Sequence, residues 1–204
     1  MLVVPDGGAE ALAGTLGDDA IGKLKDWVSR GGVLVCLDDA AEFPTLKSVG
    51  LSTAKAVGVK EKKKDEDSEE KATKDAKADS IAREEERRPE YIPGTVFWAS
   101  VDPRHFLCYG YRGARIPVLL QGRLFLRPSK EGANPVLFDR DPLKLSGWTW
   151  PETERRMKGT AYAIDEPTGS GHVVMIIGSP AFRLFWRSTE RMLVNAVLYG
   201  PALE

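Results

Sequence analysis

Apolar runs alternate with a helical pattern at the start of the chain. Leu2–Val4 and Val33–Leu37 are short, wholly apolar runs, which is typical of strands buried on both faces. Between them, apolar residues recur at helical spacing from Asp18 to Arg30, and two glycines follow where a helix would end. Asp38–Phe43 predicts a loop that opens a further helix. A strand–helix–strand–helix order favours a parallel sheet.

Short strands separated by turns dominate the second half of the chain. The predicted strands are Thr95–Ala99, Pro117–Gln121, Arg123–Leu126, Pro135–Phe138, Ala161–Asp165 and His172–Ile177. A turn over Glu166–Gly171 joins the last two strands. An amphipathic helix follows from about Phe185 to Tyr199, and the residues predicted for its apolar face are Leu184, Met192, Val194, Ala196 and Leu198.

A charged segment interrupts this pattern. Lys60–Arg88 contains ten basic and eleven acidic residues and almost no large apolar side chain. Such a segment cannot bury enough apolar surface to offset the entropy lost on ordering. We therefore predict one domain over residues 1–204, with a charged, mobile insertion at about 60–88.

The overall charge argues against two classes of partner. With 29 basic and 30 acidic side chains, the formal net charge is −1, so we predict neither nucleic acid nor a membrane surface as partner. No apolar run approaches the roughly 20 residues of a membrane-spanning helix. The two cysteines, Cys36 and Cys108, each lie in an apolar run, and we interpret both as buried thiols rather than a disulfide.

Three stretches carry a resemblance through their order and spacing. The first runs from Val3 through the predicted helix to Val35. The second is Asp102–Gly110, followed at a distance by Leu145–Trp148. The third comprises Gly169–Val174, Gly178–Arg183 and then Asn195-Ala196.

Together these stretches resemble the class I glutamine-amidotransferase-like domain at the C-terminus of M14-type zinc carboxypeptidases. The resemblance implies an α/β, flavodoxin-like three-layer sandwich with a mostly parallel sheet. It also implies that a strand and a helix precede Leu2–Val4, so the sheet would lack its first strand. We expect a fragment of a longer, exported enzyme, with zinc bound in the absent upstream peptidase domain and no cofactor in this chain. The open strand position predicts a homodimer or a fragment of reduced stability.

Cys36 occupies the place of the nucleophile in working glutamine amidotransferases, where a central strand turns into a helix. That elbow needs small flanking residues, yet Leu37 and Asp38 follow, and the expected glycine is missing. Asp38 and Asp39 would also disfavour the thiolate. The family's histidine and glutamate are replaced by Gly178–Arg183, so we predict a degenerate nucleophile position and no catalytic residues.

The two histidines do not form a recognisable metal site. A zinc peptidase needs a set such as two histidines and a glutamate, and no H-x-x-E occurs, since Cys108 stands three residues after His105 and Met175 three after His172. We expect both histidines to bond backbone groups, and we predict no metal ligands in this chain.

Trp148 and Trp150 are the remaining candidates for binding. If the two side chains are exposed, they could stack on a sugar or a peptide. If they are buried, they contribute to ordinary packing, and this is the interpretation that we favour. The leading functional hypothesis is a non-catalytic accessory domain that packs on a carboxypeptidase domain. The alternatives are a cysteine-dependent amidase or hydrolase using Cys36, and a carbohydrate- or peptide-binding module using the two tryptophans.

Overall fold

The computed structural model describes residues 1–58 and 89–202, so the predicted insertion at about 60–88 lies outside the described residues. The described part is a mixed α/β fold in which ten strands join in one sheet. The strands are β1 (Leu2–Val4), β2 (Val33–Leu37), β3 (Lys55–Ala56), β4 (Ile92–Val101), β5 (Arg115–Gly122), β6 (Leu126–Arg127), β7 (Ala133–Phe138), β8 (Lys144–Gly147), β9 (Ala161–Thr168) and β10 (Gly171–Ile176). The helices are α1 (Ala9–Ser29), α2 (Pro151–Met157) and α3 (Arg187–Tyr199).

The sheet is mixed, and the prediction of a mostly parallel sheet was wrong. Its main order is β1-β2-β10-β9-β7-β4-β5, with β3 and β6 paired to the side and β8 paired with β4. Among the described pairs, only β1 with β2 and β2 with β10 are parallel. The two-residue turn between β9 and β10 permits only antiparallel pairing, and no long helix separates the strands from β4 to β8.

The first helix begins earlier than its apolar pattern indicated. α1 starts at Ala9 rather than Asp18, and its backbone departs from helical geometry at Gly17, where φ is 69°. The segment after this kink corresponds to the predicted helix. The segment before it buries Ala9 and Ala13, whose small side chains carry little periodic signal.

The terminal helix buries part of the predicted apolar face, Met192 and Ala196, together with two polar residues. Thr189, Met192, Asn195 and Ala196 are buried, at helical spacing, and Thr189 donates a hydrogen bond to the carbonyl of Pro180 (2.7 Å). The Asn195 amide donates to the carbonyls of Leu107 (3.0 Å) and Tyr109 (2.9 Å), tying the helix to the loop after β4. The other predicted members of the apolar face are exposed, namely Leu184, Val194 and Leu198.

The core is continuous across the sheet. Phe97 of β4, Phe138 of β7 and Tyr162 of β9 form two edge-to-face contacts, with ring centroids 6.0 and 5.9 Å apart. All three side chains are fully buried, which is where aromatic groups contribute most to stability. Within the described residues, no helix has the length and apolar character that a bilayer crossing demands.

Candidate functional site

Cys36 lies inside the sheet and not on a surface. It is wholly buried on β2, between Val4 of β1 and Met175 of β10, and burial raises its thiol pKa to about 12. Cys108 is also buried, with its Sγ 3.6 Å from the carbonyl oxygen of Pro135. The prediction of two buried, unbridged thiols is confirmed, since both cysteines are free.

The sharp turn after β2 is centred on Asp38. Its backbone is left-handed, with φ of 55°, so the strained position lies two residues beyond Cys36. Burial, with smaller effects from the charges of Asp6 and Asp39, raises the pKa of Asp38 to about 6. From the sequence, Asp38 was expected to follow the nucleophile position and to place charge near the sulfur, but its left-handed backbone was not predicted.

The connection from β10 to α3 contains two more residues with this backbone conformation. Arg183 and Leu184 have φ of 48° and 58°, and with Asp38 they are the only non-glycine residues in the described ranges with positive φ. Ligands of open α/β sheets bind outside the carboxyl ends of parallel strands, and strained backbone concentrates at functional sites. Asp38 gives this edge a carboxyl group that changes charge near pH 6.

The two histidines meet at one carboxylate. The Nε2 atom of His105 lies 3.1 Å from Oδ2 of Asp165, and Nδ1 of His172 lies 3.0 Å from Oδ1 of the same residue. The Asp165 side chain is only 6% exposed, while the two histidine side chains are 15% and 20% exposed. A buried carboxylate with two N–H donors is a well-satisfied polar group.

The hydrogen bonds assign the tautomer of each ring. Nδ1 of His105 accepts from the backbone N–H of Leu107 (3.3 Å), so its Nε2 carries the hydrogen that Asp165 accepts. His172 donates through Nδ1 instead. The expected backbone bond is therefore confirmed for the His105 side chain and is wrong for that of His172.

The His172–Asp165 pairing follows from the hairpin register. His172 faces Pro167 across β9 and β10, which places Asp165 two residues away on the same face as a diagonal neighbour. If the turn had been predicted at Gly169-Ser170, the resulting strand register would have placed His172 beside Asp165. The His105 contact spans 60 residues and has no comparable local signal.

These contacts shift two pKa values in opposite directions. Burial alone would raise the pKa of Asp165, but hydrogen bonds from His105 and His172 outweigh it and hold the pKa below its usual range. The hydrogen bond to Asp165 raises the pKa of His172, against the opposing effect of partial burial. The pair thus favours a carboxylate beside a protonated ring.

The stability of the protein should depend on pH through this pair. A raised histidine pKa stabilises the fold below about pH 6.5 and the contribution is lost as pH rises through the folded pKa of His172. A lowered Asp165 pKa stabilises above about pH 4 and is lost as pH falls. The difference in stability between the native protein and His172→Gln, measured by urea unfolding, should therefore be largest between these values. The His172→Gln variant should lose the decline on the alkaline side, and an unchanged decline would contradict this assignment.

A metal site does not emerge from this cluster. Among the ranges 1–58 and 89–202, no group of three or more His, Cys, Asp and Glu side chains has an arrangement suited to a metal ion. His105 and Cys108, the nominal pair in the sequence, point to different partners, Asp165 and the carbonyl of Pro135.

The tryptophan side chains are exposed, contrary to the favoured interpretation of ordinary packing. Trp148 and Trp150 are 52% and 48% exposed, and their ring centroids lie 4.6 Å apart with the planes at 73°. Thr149 between them is buried, because successive residues of an extended segment point to opposite sides. The pair lies on the connection from β8 to α2.

Comparisons with known proteins define the fold and nothing finer. No family model matches the chain, and no curated protein matches it. Similar solved structures include two from Salmonella typhimurium: cytoplasmic protein STM3548, and cytoplasmic protein STM1381 from strain LT2. The first has a TM-score of 0.52 at 11% identity over 97% of this chain and 70% of that chain. The second has a TM-score of 0.52 at 12% identity over 98% and 69%.

Proposed function

We propose that this chain is a non-catalytic accessory domain that acts by binding. The observation that supports this most directly is the complete burial of Cys36, the residue placed like an amidotransferase nucleophile. A nucleophile must meet its substrate and have a base within hydrogen-bond reach. A thiol whose pKa is raised to about 12 is protonated at neutral pH.

The positions of the histidines support the same proposal. His172 precedes Met175, the β10 partner of Cys36, by three residues, which corresponds to about 10 Å along a strand. Both imidazoles are also occupied by Asp165. Neither histidine is therefore in a position to activate Cys36.

We further propose, from the resemblance, that the domain belongs to a zinc carboxypeptidase-like protein. The parent would be exported and would bind zinc in an upstream peptidase domain, on which this domain packs. The finer fold proposal is a flavodoxin-like three-layer sandwich lacking its first strand. The parallel group β1, β2 and β10 supports it, as does the edge position of β1, which pairs only with β2 among the described strands. The alternative partner is a second copy of this chain, which would form a homodimer through the β1 edge.

Hydrolysis assays test the proposal against the cysteine-amidase alternative. Glutamine and an activated ester would be offered to the purified chain and to a Cys36→Ala variant. We expect both proteins to match the buffer rate, because the native thiol is buried and unpaired with a base. Turnover by the native chain that disappears in Cys36→Ala would show that the thiol is catalytic.

A second candidate function is favoured by the exposure of the tryptophans. Tryptophan is costly to leave half in water, and it is enriched where proteins contact ligands and partners. Trp148 and Trp150 together therefore support a carbohydrate- or peptide-binding surface. This surface is compatible with an accessory role, since it lies beside β8, which pairs with β4, whereas β1 is at the other end of the sheet.

A further inference from the structure

Trp148 and Trp150 form a corner on the protein surface. The two indole rings make an edge-to-face contact, with their planes at 73° and their centroids 4.6 Å apart. About half of each side chain is open to solvent, and aromatic surface of this size gains from burial against an apolar face.

The backbone that carries this corner is held on both sides. The hydroxyl of Thr95 on β4 donates to the carbonyl of Trp148, and the backbone N–H of Glu154 donates to the carbonyl of Trp150 (2.9 Å). The side chain of Thr149, between the two tryptophans, is buried, with 3% of the residue exposed. Because this backbone is held in place before any ligand arrives, ordering the segment would cost little entropy on binding.

Balanced polar groups flank the corner in the chain. Lys144 of β8 and Glu154 of α2 form an ion pair at 3.1 Å, and Arg155 pairs with Glu152 at 3.3 Å. These groups supply donors and acceptors without an excess of either charge. Such a setting favours a neutral ligand that has one apolar face and many hydroxyl groups.

An extended peptide fits the same place less well. Strand addition needs a long regular edge, whereas β8 has four residues and its register against β4 shifts between Val96 and Phe97. Short, irregular edge strands that contain lysine, as β8 does with Lys144, are typical of edges that resist such pairing.

We propose that the corner of Trp148 and Trp150 binds a pyranose ring of a neutral saccharide. The C–H face of the sugar would stack on an indole, and its hydroxyls would exchange hydrogen bonds with Lys144 and Glu154. This inference rests on the proposal that the chain acts by binding, and it specifies the ligand class.

Titration with cellohexaose, maltohexaose and chitohexaose tests this proposal, with tryptophan fluorescence and calorimetry as readouts. We expect saturable binding of at least one of the three. Trp148→Ala and Trp150→Ala should each weaken it by about tenfold or more, as for other buried aromatic anchors. Trp148→Phe should retain part of the affinity. Phe185→Ala removes an aromatic ring that is 62% exposed near α3 and should change nothing.

Several results would overturn the saccharide assignment. One is the absence of binding of all three sugars at millimolar concentration. A second is a loss of affinity in Phe185→Ala that equals the loss in the tryptophan variants. Another is Trp-dependent binding of an alternating valine–threonine peptide in place of the sugars, which would assign the surface to peptides. None of these outcomes alters the hydrolysis assay on Cys36, so failure of the ligand class and failure of the non-catalytic role are separable.

Discussion

Replacing Asp165 with alanine is expected to lower the free energy of unfolding by about 3 kcal/mol. The reason is that the N–H groups of His105 and His172 both lose their buried acceptor. Each orphaned donor costs roughly 1–3 kcal/mol, and the partial exposure of the two rings allows water to recover some of it. Urea denaturation near pH 6, where the pair is fully formed, measures the difference.

Two further variants make this result interpretable. Asp165→Asn keeps one acceptor oxygen and should cost less than the alanine variant. Asp19→Ala removes an exposed carboxylate on α1 and should change stability by no more than about 0.5 kcal/mol. If Asp165→Ala is no less stable than Asp19→Ala, the histidine–carboxylate bridge does not support the fold.

Gly171→Ala should be comparably damaging, with a loss of about 3 kcal/mol. A Cβ atom at Gly171 would overlap the backbone carbonyl oxygens of Val28 and Gly32, which cannot move without disturbing α1 and β2. The substitution would also displace the start of β10, and with it His172. Thermal unfolding followed by circular dichroism measures the effect.

Gly22→Ala provides a matched control within α1. A Cβ at Gly22 meets nothing within 4 Å, and alanine is the better helix former, so this variant should gain up to about 1 kcal/mol. If the two glycine-to-alanine changes alter stability in opposite directions, the steric overlap of the new Cβ, rather than the loss of glycine flexibility, decides the outcome at Gly171. A Gly171→Ala protein as stable as the native chain would contradict the close packing of β10 on α1.

The parallel part of the fold was predictable because its signals are local. β1 and β2 are unbroken apolar runs, and a glycine-terminated helix between them leaves parallel pairing as the expected result. The same rule was then extended to the rest of the sheet, where it fails. Between Ile92 and Gly147 the strands follow one another without a covering helix, and this feature of the sequence favours antiparallel neighbours.

The candidate sites were harder to predict because they depend on distant contacts. Burial of Cys36 follows from its apolar run, and the sequence prediction was correct. The meeting of His105 with Asp165 requires the loop after β4 to pack beside β9, which no local pattern encodes. The exposure of Trp148 and Trp150 likewise depends on where β8 lies, and β8 was not predicted at all.

Alkylation of Cys36 tests the non-catalytic role most directly. Iodoacetamide would be added to the native protein at neutral pH, and mass spectrometry would follow modification of Cys36 against free cysteine. Because the thiol is fully buried and its pKa is raised to about 12, we predict labelling far slower than that of free cysteine, and restored when the protein is unfolded in urea. Labelling of the native protein faster than free cysteine would contradict the account, since it would reveal an accessible, activated thiolate.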